Sequence, residues 1–470
     1  MFDKEIRGFS IDSRTAAGGE LFFALSPPDY ARHGFTGSEF TDAHRFIPQA
    51  LSEGVLAAVA LRERVRGDAE LEALRGRLLL VDDCIGALQE LAHGVVTEWG
   101  RPVVGITGSA GKTTTKDLAA HVLGVSGRRV LRSKKNYNNE LGLPLSVLQM
   151  VSEGGRPDEF DVAVLEMGMS TPKEIARLCE IAPPDVGVEL LVAPAHLEFF
   201  GTIEAIAESK AQLVEGLKPG GTAVLNADDE RVAAMRSRHT TGPVMTFGIE
   251  NPSDVTAVNI EGARLGLTRF VLRTPLGESE AELAMPGRHN LMNALAAAAV
   301  ATCFGVRPEE IAEALRTAAP SEMRGEVLRF RAGFTVLDDS YNSNPRSLLS
   351  MVESVAQGGG GVKRKLVVAG EMLELGPGAA SLHREAGREI ANLGVDVLWG
   401  VRGLASEIVA GAREAGMAEE ATRLFESSDE AAAALADELR EGDLVLVKGS
   451  RGVQTDRVVK LLKTKYELSR

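Results

Sequence analysis

A glycine-rich segment between an apolar run and a helix-compatible stretch constrains the fold of this chain more than any other feature. Residues 105–116 read GITGSAGKTTTK, follow the apolar pair VV and precede DLAAHVL. In a turn of this kind between strand and helix, backbone N–H groups and the helix N-terminus face an anion, while the lysine and the following hydroxyl serve phosphates and Mg²⁺. The segment predicts a parallel α/β sheet that binds a nucleotide. The predicted contacts are Gly108, Ser109, Ala110, Gly111, Lys112, Thr113 and Thr114.

The loop departs by one residue from the general spacing G-x-x-x-x-G-K-[ST]. With Gly111 and Lys112 in place, the first glycine belongs at the position that Ile106 occupies. The spacing alone therefore does not indicate which kind of nucleotide enzyme this chain is.

The apolar runs divide the chain of 470 residues into three segments. Near-continuous apolar runs that alternate with helical stretches are typical of parallel strands buried on both faces. They begin near residue 99 and resume near 320, whereas the first segment has shorter runs and a stretch, 26–40, that reads as a surface loop. We predict an α/β protein of three domains. They are a small α/β N-terminal domain (1–98), a central P-loop parallel-sheet ATPase domain (99–318) and a Rossmann-like C-terminal domain (319–470).

Composition excludes several classes of function. The net charge of −14 argues against nucleic acid or an anionic membrane as the main partner, because phosphate backbones require clustered Lys and Arg. The N-terminus has no secretory apolar region, and the longest apolar run, 291–306, is shorter than the roughly 20 residues that a membrane span needs. The three cysteines have neither paired nor metal-like spacing. We expect a cytoplasmic protein without membrane insertion.

Three polar residues of the central segment are candidates for magnesium chemistry. Glu166 ends the strand DVAVL of the sheet that carries the phosphate loop, where a Mg²⁺ ion bridging phosphates needs an oxygen ligand. A solvated carboxylate at a strand end is the alternative. His196 and Lys210 follow in PAHLEFFGTIEAIAESKAQL. Taken singly, they are more often a structural histidine and a lysine that extends to water.

Asparagines are concentrated in two motifs of the central segment. Asn138 and Asn139 lie in NYNNELGLP, and their amides suit an amide or carboxylate substrate, although a turn with side-chain caps is a fair alternative. Asn290 and Asn293 lie at the start of the helix HNLMNALAAAA, where a cap explains at most one of them.

The junction with the third segment carries the remaining candidates. Asp338 follows the strand FTVL, where it is placed for ribose hydroxyls, and Asn344 opens the next helix. Arg324, between the second and third segments, is placed to reach a nucleotide phosphate across a cleft. The motif VKGSRG (447–452) reads either as a weak anion loop for a carboxylate or as a plain turn.

Taken together and in this order, the motifs resemble those of the Mur ligase family of ATP-dependent enzymes that form peptide bonds. The resemblance spans nearly the whole chain, and the phosphate loop of this family has the spacing found here. It also rests on IDSR (11–14), NNELGLP, EMG, AHLEFFG, GRHNLMNALAA, DDSYNSNP, GEMLELG and VKGSRG.

The resemblance implies a role for each candidate residue. Lys112 and the loop amides hold the ATP phosphates, and Asn290, Arg324 and Asp338 contact adenine, phosphate and ribose. Two Mg²⁺ sites are implied, with ligands from Thr113, Glu166, His196 and Lys210, the last as a carbamate. Ser13, Arg14, Asn138, Asn139 and Asn344 are the implied substrate contacts. Lys112, Lys210 and His196 are the implied catalytic residues.

The resemblance also implies an activity. A monomeric enzyme joins UDP-N-acetylmuramoyl-tripeptide to D-alanyl-D-alanine in peptidoglycan precursor synthesis, through an acyl phosphate. Alternatives are a sibling ligase that adds another residue, a folylpolyglutamate synthase, or an ATPase switch that turns over ATP without a UDP-sugar peptide.

Overall fold

The computed structural model describes residues 5–35, 41–134, 137–194, 197–239, 242–264, 267–358 and 361–469. Within this part of the chain the strands form a four-stranded, a nine-stranded and a six-stranded sheet, in that order along the sequence. The predicted α/β architecture of three domains is confirmed. The domain boundaries at 98/99 and 318/319 stay predictions.

The N-terminal domain is a parallel four-stranded sheet flanked by short helices and one long helix. Its strands, in sheet order, are β1 (Gly8–Ser10), β2 (Glu20–Phe23), β3 (Ala57–Leu61) and β4 (Leu78–Val81). Its helices are α1 (Pro27–Arg32), α2 (Ile47–Ser52), α3 (Arg62–Val65), α4 (Ala69–Ala73) and α5 (Cys84–Trp99). The apolar side of α5 packs in the same core as the first strands of the central domain, so the two domains share a hydrophobic interface.

The prediction of a surface loop over 26–40 is wrong for its first part, which forms α1. Paired prolines at the start of this helix fit its first turn, where no backbone donor is needed. Asp29 is fully buried and accepts hydrogen bonds from the Ser26 hydroxyl (2.7 Å) and from the Cys84 amide (2.8 Å). These bonds fix α1 to the start of α5. Residues 36–40 lie outside the described part.

The central domain is built on the nine-stranded sheet, in the order β13-β12-β11-β10-β9-β8-β5-β7-β6. Its strands are β5 (Val103–Thr107), β6 (Val130–Arg132), β7 (Val162–Glu166), β8 (Val186–Glu189), β9 (Thr222–Asn226), β10 (Val244–Gly248), β11 (Val255–Arg264), β12 (Leu267–Thr274) and β13 (Gly277–Leu283). Its helices are α6 (Lys112–Val125), α7 (Gly142–Val147), α8 (Glu174–Ile181), α9 (Leu197–Phe200), α10 (Ile203–Glu215), α11 (Glu230–Ala234), α12 (Arg288–Cys303) and α13 (Pro308–Thr317). Strands β5 to β11 pair in parallel with their neighbours in the sheet, and β12 and β13 extend the sheet antiparallel. The phosphate loop therefore follows a strand in the parallel part of the sheet.

Two glycines bring α10 close to this sheet. A Cβ atom on Gly105 would lie 3.1 Å from the Leu213 side chain, and one on Gly187 would lie 3.1 Å from Leu217. Lys210 and Leu213 are three residues apart on α10 and so lie on one face of this helix, and Leu217 follows just after its end. Lys210 is therefore directed at the carboxyl ends of β5 and β8, one turn beyond these contacts.

The C-terminal domain is a six-stranded sheet in the order β14-β15-β19-β16-β17-β18, parallel except for β14. Its strands are β14 (Glu326–Arg329), β15 (Thr335–Asp339), β16 (Arg364–Gly370), β17 (Val397–Val401), β18 (Thr422–Phe425) and β19 (Asp443–Lys448). Its helices are α14 (Pro345–Gln357), α15 (Ala379–Asn392), α16 (Ala405–Glu414), α17 (Ser428–Glu438) and α18 (Asp456–Lys465). Across the described ranges, no helix is both long and apolar enough to span a bilayer.

Candidate active site

The phosphate loop has the backbone shape of an anion cradle. Gly108 and Gly111 adopt φ angles of 153° and 87°, in the region that favours glycine. A Cβ on Gly108 would lie 2.8 Å from the Leu190 Cβ, and one on Gly111 would clash with the Asn293 amide oxygen. The Lys112 ammonium donates to the Gly108 carbonyl at 2.8 Å, so the lysine folds back over the loop. These residues fit a bound polyphosphate.

Neighbouring segments hold the loop from both sides. The Ser109 amide donates to the Leu191 carbonyl (2.9 Å), and its hydroxyl donates to the Ala193 carbonyl (3.1 Å). On the other side, the Thr115 hydroxyl is 3.4 Å from the Asn293 amide oxygen at the start of α12. Asn293, the second asparagine that the sequence places at the start of this helix, thus positions the loop.

Three predicted residues meet beside the loop. The Thr113 hydroxyl donates to Glu166 Oε2 at 2.7 Å, and the Asn138 amide donates to Glu166 Oε1 at 2.8 Å. The carboxylate is buried, and its own backbone amide donates to the Ser133 hydroxyl oxygen. A hydroxyl and a carboxylate next to a phosphate cradle are the oxygen ligands that Mg²⁺ takes together with phosphate oxygens.

The described residues contain no group of three or more His, Cys, Asp and Glu side chains arranged to hold a metal ion. His196, the predicted histidine ligand, lies outside the described residues. The adjacent Thr113 hydroxyl and Glu166 carboxylate fit a Mg²⁺ ion that shares its coordination with a nucleotide.

Two of the predicted substrate contacts also cap helices. The Asn139 side-chain oxygen accepts from the Gly142 amide (2.8 Å) at the start of α7, and Asn344 accepts from the Ser347 amide (2.9 Å) at the start of α14. Both asparagines also line a cavity of about 270 Å³ in front of the phosphate loop. Their roles in substrate binding stay predictions.

This cavity lies between the central and C-terminal domains. Arg324 enters it, with its guanidinium 4.0 Å from the centre of the Tyr341 ring, a cation–π geometry. Asn290 also lines it, donating to the Pro286 carbonyl at 2.7 Å. Burial lowers the pKa of Lys112, and the nearby Glu166 carboxylate opposes that shift. The cavity therefore presents cationic side chains from two domains to an anionic ligand.

A second cavity of about 430 Å³ adjoins the first behind Gly111. Its lining is more apolar and includes Leu190, Phe247, Met292 and Leu349. An apolar slot next to a phosphate loop has the shape and chemistry for a flat heterocyclic base. Asn290, the predicted adenine contact, lines the first cavity and is not among the residues lining the second.

The structure brings Asp339, and not Asp338, to the cavity. Asp338 is buried and accepts from the Ser340 hydroxyl (2.6 Å) and amide (3.1 Å), and burial raises its pKa to about 6. Asp339 lines the cavity and pairs with Lys448 of the VKGSRG motif. Successive residues of a strand point to opposite faces of the sheet. The cavity lies at the end of the strand FTVL, on the face to which Asp339 points, and not on the face of Asp338.

Ser13 and Arg14 line neither cavity. Arg14 is exposed in the N-terminal domain and donates to both carboxylate oxygens of Asp12, at 2.9 and 2.6 Å. Their assignment to the uridine diphosphate end of a substrate stays a prediction.

Lys210 faces a buried acid that sequence analysis missed. Glu189 is fully buried, and neither of its carboxylate oxygens has a hydrogen-bond partner in the described part of the protein. Thr107 is its register partner on β5, so both side chains lie on one face of the sheet, and the Thr107 hydroxyl also lacks a partner there. Burial, assisted by the charge of Lys112, lowers the pKa of Lys210 to about 7, and burial raises the pKa of Glu189 well above its usual value. The only sequence signal was one carboxylate within the apolar run VGVELLV.

Replacing this acid is expected to stabilise the protein. In the described part of the protein the buried Glu189 carboxyl has no hydrogen-bond partner, and burying such a group destabilises a fold by about 1–3 kcal/mol. Glu189→Leu removes this group, so the free energy of unfolding should rise by a similar amount. Because the pKa of Glu189 is higher in the folded than in the unfolded state, the free-energy cost of burying Glu189 grows as pH rises from its unfolded-state pKa toward its folded-state pKa. Urea unfolding should therefore show a larger gain at pH 8 than at pH 5. A variant less stable than the parent at both pH values would contradict this prediction.

Comparisons with known proteins cover nearly the whole chain. Residues 106–301 match the Mur ligase middle domain, and residues 323–451 match the Mur ligase, glutamate ligase domain. The chain is 33% identical to the UDP-N-acetylmuramoyl-tripeptide–D-alanyl-D-alanine ligase of Bacillus subtilis, over 97% of this chain and 93% of that protein. It is 37% identical to the ligase of the same name from Mycobacterium tuberculosis, over 93% and 88%.

Solved structures agree with these relatives. The fold matches a crystal structure of MurF from Acinetobacter baumannii with a TM-score of 0.83 and 29% identity, covering 97% of this chain and 94% of that one. It matches MurF ligase from Thermotoga maritima in complex with ADP with a TM-score of 0.81 and 29% identity, covering 99% of each chain. The similarity thus extends over all three domains.

Proposed function

The chain belongs to the Mur ligase family, and on this basis we propose that it joins D-alanyl-D-alanine to the terminal carboxylate of UDP-N-acetylmuramoyl-tripeptide in peptidoglycan precursor synthesis. It is an ATP-dependent ligase. The proposal rests on one observation: the phosphate loop lines a single cavity together with Arg324, Asp339 and Lys448. This arrangement supports a reaction between a nucleotide held by the central domain and a substrate held by the C-terminal domain.

ATP fits the two adjoining cavities. Lys112 and the amides of 108–114 bind the outer phosphates, and Arg324 approaches the same phosphates from the domain junction. The base occupies the apolar cavity next to Phe247 and Met292. Asn290 and Asp338 remain proposed contacts of the nucleoside, and Asp339 is a further candidate because it faces the cavity.

We assign magnesium binding to the Thr113 hydroxyl and the Glu166 carboxylate, with His196 and Lys210 as proposed ligands of a second ion. Magnesium would neutralise phosphate charge and thereby reduce the repulsion between a triphosphate and an incoming carboxylate. Asn138 orients the Glu166 carboxylate through its amide, so this ligand is already directed at the phosphate loop.

The chemistry begins with an inert acid. A carboxylate is a poor acyl donor because its leaving group would be oxide. Attack of the tripeptide carboxylate on the ATP γ-phosphorus forms a new O–P bond, breaks the bond to the β-phosphate oxygen and releases ADP. The product is an acyl phosphate, whose leaving group is phosphate. Lys112 stabilises the charge that spreads over the transferring phosphoryl oxygens.

The second half joins the dipeptide. The amine of D-alanyl-D-alanine attacks the acyl carbon, forming the C–N bond; the C–O bond breaks, phosphate departs, and the nitrogen loses a proton. The acyl phosphate is prone to hydrolysis, so closure of the three domains must exclude water and align the reactants. Such alignment can supply about 7–11 kcal/mol of the barrier.

Cytoplasmic localisation is also a proposal. It is supported by the described cysteines Cys84, Cys179 and Cys303, which are all free thiols, as a reducing compartment favours. A nucleotide-linked precursor as the substrate favours the same compartment.

The test is ADP release by the purified protein with the UDP-linked tripeptide, with and without D-alanyl-D-alanine. We expect release to require both substrates, and single amino acids not to replace the dipeptide. Oxygen-18 placed in the tripeptide carboxylate should appear in the released phosphate. Turnover of ATP without any UDP-linked peptide would favour an ATPase switch, and turnover with a single amino acid would favour a sibling ligase.

A further inference from the structure

A polar cluster joins the N-terminal domain to the loop next to Glu166, and the proposed chemistry does not use it. His33, immediately after α1, places Nε2 2.9 Å from Asp83 Oδ2 and Nδ1 3.4 Å from Glu140 Oε2. The His33 and Glu140 side chains are only 11% and 14% exposed, so water competes weakly for these contacts. The histidine thus bridges two carboxylates from different domains.

The N-terminal side of the bridge is rigidly built. Asp83 caps α5 by accepting from the Gly86 amide at 2.9 Å. The Asp29 carboxylate accepts from the next backbone amide, that of Cys84. Helices α1 and α5 therefore present His33 as one unit.

A second chain of hydrogen bonds also reaches Glu140, through Gln89 on α5 of the N-terminal domain and Arg177 on α8 of the central domain. The Gln89 amide donates to the Glu140 carbonyl (3.1 Å) and to Glu140 Oε2 (3.3 Å). Arg177 donates to the Gln89 side-chain oxygen through Nε (2.9 Å) and Nη2 (2.7 Å). Because the side-chain oxygen of Gln89 accepts from Arg177, the NH₂ group of Gln89 is directed at Glu140.

Glu140 is two residues from the group that orients the proposed metal ligand. Asn138 donates to Glu166 through its amide and accepts from the Gly168 amide through its carbonyl at 2.7 Å. Between them, Asn139 caps α7. Displacement of Glu140 would therefore be transmitted to Asn138 over one short, hydrogen-bonded loop.

We propose that His33 is a positioning residue of the ligase: by holding Glu140 against Asp83, and together with Gln89 of α5, it fixes the 138–141 loop, and with it the Asn138 amide that orients Glu166, to the N-terminal domain. The inference rests on the proposed function for the role of Glu166 and on geometry for the bridge itself.

The charges around His33 give the bridge a pH dependence. Asp83 and Glu140 face the ring, Arg32 lies 3.7 Å from the same Asp83 oxygen, and Gln89 links Glu140 to Arg177. The hydrogen bond to Glu140 is the largest influence and raises the pKa of His33, against the opposing effect of burial. The doubly donating imidazolium is present at low pH and is lost as pH rises through the raised pKa. A neutral ring has one N–H and leaves one carboxylate without its donor.

The first measurement is hydrogen exchange in the full-length protein without substrates. In His33→Ala, the amides of Leu141 and Gly142, which donate to the Asn139 side chain, should exchange about 3- to 10-fold faster, the loss expected for one or two hydrogen bonds. His93→Ala, an exposed histidine on α5, is the matched control and should leave both amides unchanged. Unchanged exchange in His33→Ala would overturn the proposal, whether or not the protein proves to be a ligase.

The second measurement is the Mg²⁺ concentration for half-maximal ADP release with saturating substrates. We expect it to rise about 3- to 10-fold in His33→Ala at pH 6, with a partial return in His33→Gln, which keeps one donor. Because Lys210 titrates in both proteins, the readout is their ratio: the Mg²⁺ requirement of His33→Ala divided by that of the parent should shrink toward one as pH rises through the raised pKa of His33. A requirement equal to that of the parent at every pH would contradict the positioning role. A parent protein that releases no ADP would instead defeat the proposed function, and the exchange result would still decide the role of the bridge.

Discussion

Replacing Lys112 with alanine is expected to reduce substrate-dependent ADP release by about 1,000-fold or more while leaving the fold intact. The Lys112 ammonium is the cation of the phosphate loop, and in the described structure its hydrogen-bond partner is the Gly108 carbonyl. Comparable cationic groups in phosphoryl transfer contribute about 10³–10⁵ in rate, because charge develops on the transferring oxygens in a site shielded from water. Loss of a single bond to a loop carbonyl costs the fold far less.

The measurement is initial-rate ADP release together with the thermal unfolding midpoint. Lys134→Ala is a suitable control, because Lys134 is exposed and carries the same charge without belonging to the loop. We expect near-parental rates in the control and similar unfolding midpoints in both variants. Ligation by Lys112→Ala at more than a tenth of the parental rate would remove the phosphate-loop assignment.

The site residues that sequence analysis placed well are those fixed by sheet topology. The strands ending at Thr107 and Glu166 are neighbours in a parallel sheet, so the loop after the first must lie beside the carboxylate that ends the second. The carboxyl ends of parallel strands collect on one edge, where ligands bind. The contact between Thr113 and Glu166 was therefore predictable without coordinates, and so was the entry of Asn138 to the same edge.

The residues that the structure adds to the predicted site depend on information that a linear pattern does not carry. The choice between Asp338 and Asp339 is a choice of strand face, and a shift of one residue reverses it. Glu189 is a charged residue in an apolar strand, and only the packing of α10 shows that it is buried without partners. The pair formed by His33 and Glu140 joins residues 107 positions apart in two domains. Such contacts are set by tertiary packing, which also turned the start of the predicted loop 26–40 into α1.

Lys210→Ala is expected to lose about 100- to 1,000-fold in ligation rate and to recover part of it when formate or acetate is added. Lys210 is buried at the carboxyl ends of β5 and β8, where burial lowers its pKa to about 7. Near and above pH 7 a large fraction of the amine is therefore neutral, the form that adds CO₂ with formation of an N–C bond and loss of a proton. The carbamate that we propose would be an oxygen ligand for Mg²⁺, an ion whose charge stabilisation of a transition state is worth several kcal/mol.

The recovery by small carboxylates distinguishes this role from a structural one. Alanine at 210 leaves space above Thr107 and Glu189, and a carboxylate ion that enters it can replace the missing oxygens without restoring the lysine stem. Chloride at equal ionic strength should give no recovery, and Lys218→Ala, which removes a partly exposed lysine paired with Asp185, should need none. If carboxylates fail to rescue the variant and removal of dissolved CO₂ leaves the parent fully active, the carbamate is excluded. Lys210 would then act as the free amine.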